Sequence, residues 1–282
     1  MIVESSFRGW GDARIALSER GDFYTDYRRE LGEKNFLILP GVEATAVLFD
    51  DEGNTVRLHH MNGILGTESM QKGALESTFS HMEKVEPDIY YGTDWDGNKT
   101  GKKLAERLKN HGCIVTYNHP IWSRVRPEDF INIPDINMLE IFNYNTVNEC
   151  GTGYDVTYWD LMLRSGRHIN ADATDDNHNG GSFPDSFGGY IVVQAEELSH
   201  EAICQAILNG EYYSSSGPEI YDWKVENNQF VVNCSAVERI NMIVGGPVSF
   251  GCDPVGGTWS PSDRSILSVN RKRNIYSCRM YR

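Results

Sequence analysis

No stretch of this 282-residue chain approaches the roughly 18–20 consecutive apolar residues that a membrane-spanning helix needs. The opening, MIVESSFRGWGDARIALSER, lacks the apolar core of a secretory leader. Cysteine is sparse and scattered, at Cys113, Cys150, Cys204, Cys234, Cys252 and Cys278, with no C-x-x-C pair. That excludes a dense disulfide framework, and scattered reduced thiols fit a cytoplasmic protein. Basic residues are outnumbered, 26 Lys and Arg against 40 Asp and Glu, giving a formal net charge of −14. Strong nucleic-acid binding is not expected, because Lys and Arg supply most of that affinity. A small phosphorylated ligand stays open, since a bound metal sets its own local field. The phosphate-cradling patterns G-x-G-x-x-G and G-x-x-x-x-G-K-[ST] are missing, as is the G-x-S-x-G elbow of serine hydrolases.

What is present is an alternation of strand-like and helix-like segments. Arg14–Ser18 reads as a strand and Asp26–Glu33 as a helix. Phe36–Leu39 (FLIL) reads as a buried strand stopped by Pro40-Gly41. Thr45–Phe49 and Val56–Leu65 are strands on either side of a turn at 50–54. Thr100–His111 places Leu104, Ala105 and Leu108 on one helical face and stops at Gly112. Cys113–Tyr117, Asn137–Asn143, His168–Ala173 and Tyr190–Ala195 read as strands, and Thr157–Arg164 as a helix. Ser199–Leu208 reads as a helix capped by Ser199, with Gly210 beyond its end. From about Ile220 the helix signal disappears. DWKVENNQFVVNC reads as a hairpin turning at Asn227-Asn228. The last residues, SVNRKRNIYSCRMYR, are basic and lose strand alternation. The expectation is an α/β sheet or barrel over 1–219 and a small β appendage over 220–282.

Five segments carry metal-binding side chains at or just past expected strands, the placement by which an α/β barrel assembles a catalytic centre. Glu43 follows the Pro-Gly turn, where an exposed strand-end carboxylate is the plain alternative. His59 and His60 are neighbours in RLHHMNGIL, so only one can face a common site. His60 is chosen because it leads into the turn at Asn62-Gly63. His119 stands between a strand and Pro120. Asp175, Asp176 and His178 fall within four residues directly after a strand, where the alternative is a turn-forming Asx cluster. Glu140, in LEIFN, suits a group that orients a ligand through a hydrogen bond. Arg124 and Arg126, just beyond His119, can hold a phosphate or simply face solvent. His81, His111, His168 and His200 are read as surface residues. YYSSSGP, at 212–218, is either near the site or a turn into the β tail.

Together these residues resemble the PHP (polymerase and histidinol phosphatase) family of metal-dependent phosphoesterases. The matching motifs are Gly41-Val42-Glu43, His60, His119-Pro120, Glu140, Asp176-Asn177-His178 and the stretch GEYYSSSGPEI, over roughly residues 12–220. The resemblance implies a distorted (β/α)7 TIM-like barrel holding one to three divalent ions (Zn, Mn or Fe). It implies Glu43 bridging two metals, His60 and His119 completing one site, Asp176 serving a second metal and His178 a third. The family also opens with an H-x-H strand and a T-D-H motif. Neither stands here, and Ser18-Glu19-Arg20 occupies the place of the latter, so the barrel is expected to be N-terminally incomplete. Arg20 cannot bind a metal as an imidazole does, but it can hold a phosphate.

The expected activity is hydrolysis of a small phosphate ester or nucleotide by metal-activated water, with Glu43, His119, Asp176 and His178 as the catalytic set. The alternative is a degenerate relative that binds metal and a phosphorylated ligand without turnover. An amidohydrolase-like barrel lacks support, having neither an H-x-H nor a metal-bridging strand Lys. A carbohydrate-binding reading rests only on Trp223 and Trp259 in the tail.

Overall fold

The computed structural model describes residues 37, 39, 41–75, 90–91, 95–178, 183–226, 229–237, 239–245, 264–268 and 274–281. The expected strand at 14–18, the expected helix at 26–33, Arg20, His81 and Trp259 lie outside the described residues.

The first described strand, β1 (Gly41–Phe49), turns straight back as β2 (Thr55–Leu65). The Asp50 carboxylate stabilises the turn by accepting the N–H groups of Glu52 and Asn54. Strand β3 (Tyr90–Tyr91) lies parallel to β1. Then come β4 (Cys113–Tyr117), β5 (Met138–Asn143) and β6 (Asn170–Thr174). Their order in one mixed sheet is β3-β1-β2-β4-β5-β6. Strands β4, β5 and β6 run parallel, whereas β2 runs against both β1 and β4. Among the described residues the sheet is open rather than a closed barrel.

Six helices are described: α1 (Glu68–Lys72), α2 (Gly97–Asn110), α3 (Pro127–Phe130), α4 (Tyr144–Cys150), α5 (Val156–Arg164) and α6 (His200–Asn209). Helix α2 presents the expected Leu104, Ala105 and Leu108 to the sheet and ends before Gly112, which sits at φ 77°. These side chains pack against Val42, Ala44, Met61, Cys113, Val115 and Tyr117, which alternation places on one face. Truncating Leu104 to Ala in such a layer costs about 2–5 kcal/mol. Helix α6 begins with the Ser199 hydroxyl accepting the Ala202 N–H and ends at left-handed Gly210, as its sequence signals indicate. Its Ile203, Cys204 and Ile207 cover the other face at Leu39, Ile64, Ile114 and Met138. Strands β7 (Tyr190–Val193) and β8 (Tyr212–Ser215) pair beside it.

That second face changes character along its strands. Stepping by two residues from the apolar Ile64, Ile114 and Met138 gives Asn62 and His60, Thr116 and Asn118, and Glu140. The Thr116 hydroxyl on β4 reaches both oxygens of Asp172 on β6, at 3.0 Å each. That contact reaches across β5 on this face of the sheet.

From Ile220 onward the described elements are all strands. β9 (Ile220–Glu226), β10 (Gln229–Cys234) and β12 (Arg264–Ser268) form one antiparallel sheet; β11 (Arg239–Gly245) and β13 (Asn274–Tyr281) pair separately. Glu226 pairs with Gln229 across the antiparallel β9–β10 pair, and the expected turn residues 227–228 lie outside the described residues. The final segment departs from expectation: 274–281 is a strand despite its basic character, because its backbone pairs with β11. No described helix is long and apolar enough to cross a membrane.

Candidate metal centre

Cross-strand register assembles the centre. Glu43 is directly opposite Asn62, and His60 opposite Thr45, so Glu43 and His60 are diagonal neighbours on one face of the β1–β2 pair. The backbone N–H of Asn118 donates to the His60 carbonyl at 3.0 Å, which brings the residues after β4 alongside. His119 follows at once, with φ 21°. A non-glycine residue at positive φ costs about 1–3 kcal/mol and persists only where its surroundings fix it. Here the His119 N–H donates to Glu140 Oε2 at 2.7 Å, and its carbonyl accepts from the Ser123 N–H.

The result is a triangle of donor atoms. His60 Nδ1 lies 3.3 Å from Glu43 Oε1 and 3.4 Å from His119 Nε2, and the third edge, His119 Nε2 to Glu43 Oε1, is 4.0 Å. Donors held about 2.0–2.1 Å from one tetrahedral zinc stand roughly 3.3–3.4 Å apart, so the set fits a single cation. It is the one group of three or more His, Cys, Asp or Glu donors found among the described residues. Burial holds both imidazoles below their ordinary range, with neighbouring histidines adding to the effect at His60 and Asp176 opposing it at His119. Neutral rings are what ligation requires. Ser123 Oγ lies 3.1 Å from His119 Nδ1 and can accept its proton, leaving Nε2 with the lone pair.

Asp176 and His178 stand beside the triangle. Asp176 Oδ2 is 3.8 Å from His119 Nε2, and Asp176 Oδ1 is 3.8 Å from His178 Nε2. Asp176 also sits at positive φ, 49°. The His178 Nδ1–H donates to the Asp176 carbonyl at 2.6 Å, which fixes the tautomer and frees Nε2. The five expected residues therefore gather in one region.

The strand-end description needs correcting for two of them. Glu43 is the third residue of β1, and His60 lies midway along β2. β1 and β2 form a hairpin, not a β-α unit, and of the strand expected at Phe36–Leu39 the described residues 37 and 39 lie in no strand, so Glu43 is presented by β1 itself. Asp175 is not a free ligand either. Its carboxylate accepts the N–H groups of Phe187, Gly188 and Gly189 at 2.7–2.8 Å and so holds the returning loop. His59 is the buried, satisfied histidine of the pair. Its Nε2–H donates to Gly97 O at 2.7 Å, its Nδ1 accepts from Tyr117 Oη at 2.6 Å, and its ring stacks on Trp95. His200 is half-buried and donates to the Gly66 carbonyl. Arg124 and Arg126 are exposed; Arg124 has φ 58°, and Arg126 lies 4.0 Å from Glu128.

Several contributors carry no chemical signature in the sequence. Asn143 donates to both oxygens of Glu140 at 3.2 Å and to Asp176 Oδ2 at 3.1 Å, while its side-chain Oδ1 caps α4 by accepting the Thr146 N–H. Thr174 donates a short hydrogen bond to Glu140 Oε1. Burial, with Asp176 and Asp172 nearby, raises the Glu140 carboxyl well above its ordinary range. Trp122 stacks on His60 and meets His119 edge-on, walling one side. Asp155 is buried and accepts the Ile121 N–H at 2.9 Å, tethering the loop that carries His119. Asp155 stands at the N-cap position of α5, yet its side chain makes no cap bond there and holds Ile121 instead.

No family model matches the chain, and no curated protein does. Among solved structures it is similar to a two-domain protein from Bacteroides vulgatus containing a predicted PHP-like metal-dependent phosphoesterase. The identity is 14% over 90% of this chain and 68% of that one, with a TM-score of 0.41. Likeness at that level fixes neither fold nor activity.

Proposed function

We propose that this chain is a metal-dependent phosphoesterase of the PHP type, acting on a small phosphate ester or nucleotide. One observation carries the reading. Glu43, His60 and His119, drawn from β1, β2 and the loop after β4, bring one donor atom each to within 4.8 Å of one another. The order of Glu43, His60, His119-Pro120, Glu140 and Asp176-Asn177-His178 along the chain supports the PHP assignment, with a barrel-like domain over 1–219 and a β appendage over 220–282.

The three residues would hold a divalent ion, with Zn, Mn and Fe all suited to imidazole and carboxylate donors. Such an ion supplies a Lewis acid for a phosphoryl oxygen and lowers the pKa of water to about 7. Asp176 and His178 face the same region and offer the start of a second position. Glu140 and Asn143 keep His119 and Asp176 in register. Trp122 shields one side of the imidazoles. Arg124 and Arg126 lie on the loop that leaves the centre, where a phosphate contact is proposed for them, as it is for Arg20. A cytoplasmic location and a small phosphorylated substrate complete the proposal.

The test is hydrolysis of bis(p-nitrophenyl) phosphate by chelator-stripped protein after addition of Mn2+ or Zn2+. Metal-dependent turnover that is lost in Glu43→Gln supports the reading. Tight metal binding without turnover of any phosphate ester would favour the second reading, a chain that binds metal and a phosphorylated ligand only. That alternative has its own observation: Asp176 and His178 make a pair, not a second three-donor group, among the described residues.

A further inference from the structure

Beside the donor triangle lies a fourth group that no metal-ligand pattern in the sequence marks. Asn118 is buried, with 2% of its surface exposed. Its backbone is pinned by the hydrogen bond to the His60 carbonyl. Its side-chain Nδ2 donates to Glu43 Oε1 at 3.1 Å. The other end of the same amide, Oδ1, is buried and has no hydrogen-bond partner. A buried carbonyl left unpaired costs about 1–3 kcal/mol.

We propose that Asn118 is a fourth ligand of the cation at Glu43, His60 and His119, through its amide oxygen. This rests on the reading that those three residues bind a cation. The carboxylate alone dictates which end of the amide faces it: an acceptor must meet a donor, so nitrogen points inward. A cation on Glu43 reverses that preference, because it attracts the carbonyl oxygen and repels the N–H group. The torsion between Cβ and the amide is broad and roughly two-fold, so a half-turn exchanges the ends at almost the same positions. No hydrogen bond at the outer end opposes the turn. Oxygen would then stand about where nitrogen now stands, 3.1 Å from Glu43 Oε1. That spacing matches the roughly 3.3–3.4 Å between donors on one tetrahedral ion. The ligand set becomes two nitrogens and two oxygens, which moves the preference from zinc toward harder divalent cations such as Mn2+.

Two variants separate a ligand from a group that only orients Glu43. Asn118→Asp keeps an oxygen and loses the donor; Asn118→Leu loses both. Zn2+ and Mn2+ affinities of stripped wild type and both variants are measured by competition with a chromophoric chelator at pH 7.5. Thermal unfolding of the stripped proteins checks folding, and Asn118→Ala replaces the Leu variant should that one fail to fold. The expected result is that Asn118→Leu weakens binding about tenfold or more, Mn2+ more than Zn2+. Asn118→Asp binds at least as tightly as wild type, while its stripped form melts lower because two carboxylates face each other. Equal weakening in both variants would mean that the N–H donation to Glu43 is the whole role, and would overturn the proposal. So would wild-type affinity in Asn118→Leu, or in the Ala variant used in its place. Failure of the wild type to bind either ion removes the cation reading itself, and this inference with it.

Discussion

The backbone N–H of His119 and the carboxylate of Glu140 meet at 2.7 Å, and that bond joins the loop after β4 to β5. The same carboxylate takes Asn143, which also holds Asp176. Glu140 therefore aligns two residues of the candidate centre, His119 and Asp176. Glu140→Ala is expected to lower metal affinity about 10–100-fold, the usual effect of removing a group that orients a ligand. Glu140→Gln, which keeps an acceptor, should lose much less. Chelator competition on both variants checks this, and equal losses would show that charge, not alignment, is what Glu140 supplies.

His59 makes acid stability predictable. Burial lowers its pKa from 6.5 to about 4, partly offset by the bond to Gly97 O and by Asp129. Between those values the unfolded chain takes up a proton that the folded chain refuses. The contribution of His59 is thus complete above pH 6.5 and is lost as pH falls toward 4, by about 3 kcal/mol in all. Denaturant unfolding of stripped protein at several pH values should show this slope, and His59→Gln should flatten it. An unchanged slope would place the acid sensitivity elsewhere.

Asp172 works in the opposite direction. Burial raises its carboxyl to about 7, despite the Thr116 hydroxyl that favours the charged form. The folded chain therefore holds a proton that the unfolded one releases, and stability falls as pH rises from about 4 through 7. Asp172→Asn should raise the melting temperature at pH 8 more than at pH 5. A variant less stable at pH 8 than wild type would count against this account.

Trp122 offers a direct optical readout. Its ring lies 5.9 Å from that of His60 and 5.0 Å from that of His119. Adding Mn2+ to stripped protein should quench part of the tryptophan emission, and Trp122→Phe should remove most of that change. Quenching that survives the substitution would point to another site.

Much of this arrangement was legible in the sequence, and the exceptions have physical causes. Helix α6 carries its own start and stop residues, Ser199 and Gly210, and α2 its stop at Gly112, so their observed bounds lie close to the expected ones. His60 could be separated from His59 by strand alternation alone. At Glu43 the local pattern misleads: FLIL reads as the strand that presents it, whereas β1 begins at Gly41. Pairing with β2 decides that boundary, and pairing is not a local property. The same holds for 274–281, where β11 imposes a strand on a basic segment. Asn118 and Asn143 gave no chemical signal, since asparagine is a common turn residue and only the fold shows what its amide meets.

The central claim is that Glu43, His60 and His119 hold a metal ion. The most direct measurement is the metal content of purified protein, counted per chain by elemental analysis, in wild type, His119→Ala and His200→Ala. The wild type and His200→Ala should carry at least about one equivalent, because His200 bonds to the Gly66 carbonyl beyond the end of β2 and is not one of the three donors. His119→Ala should carry little, having lost one of three donors. Equal metal content in all three proteins would contradict the account.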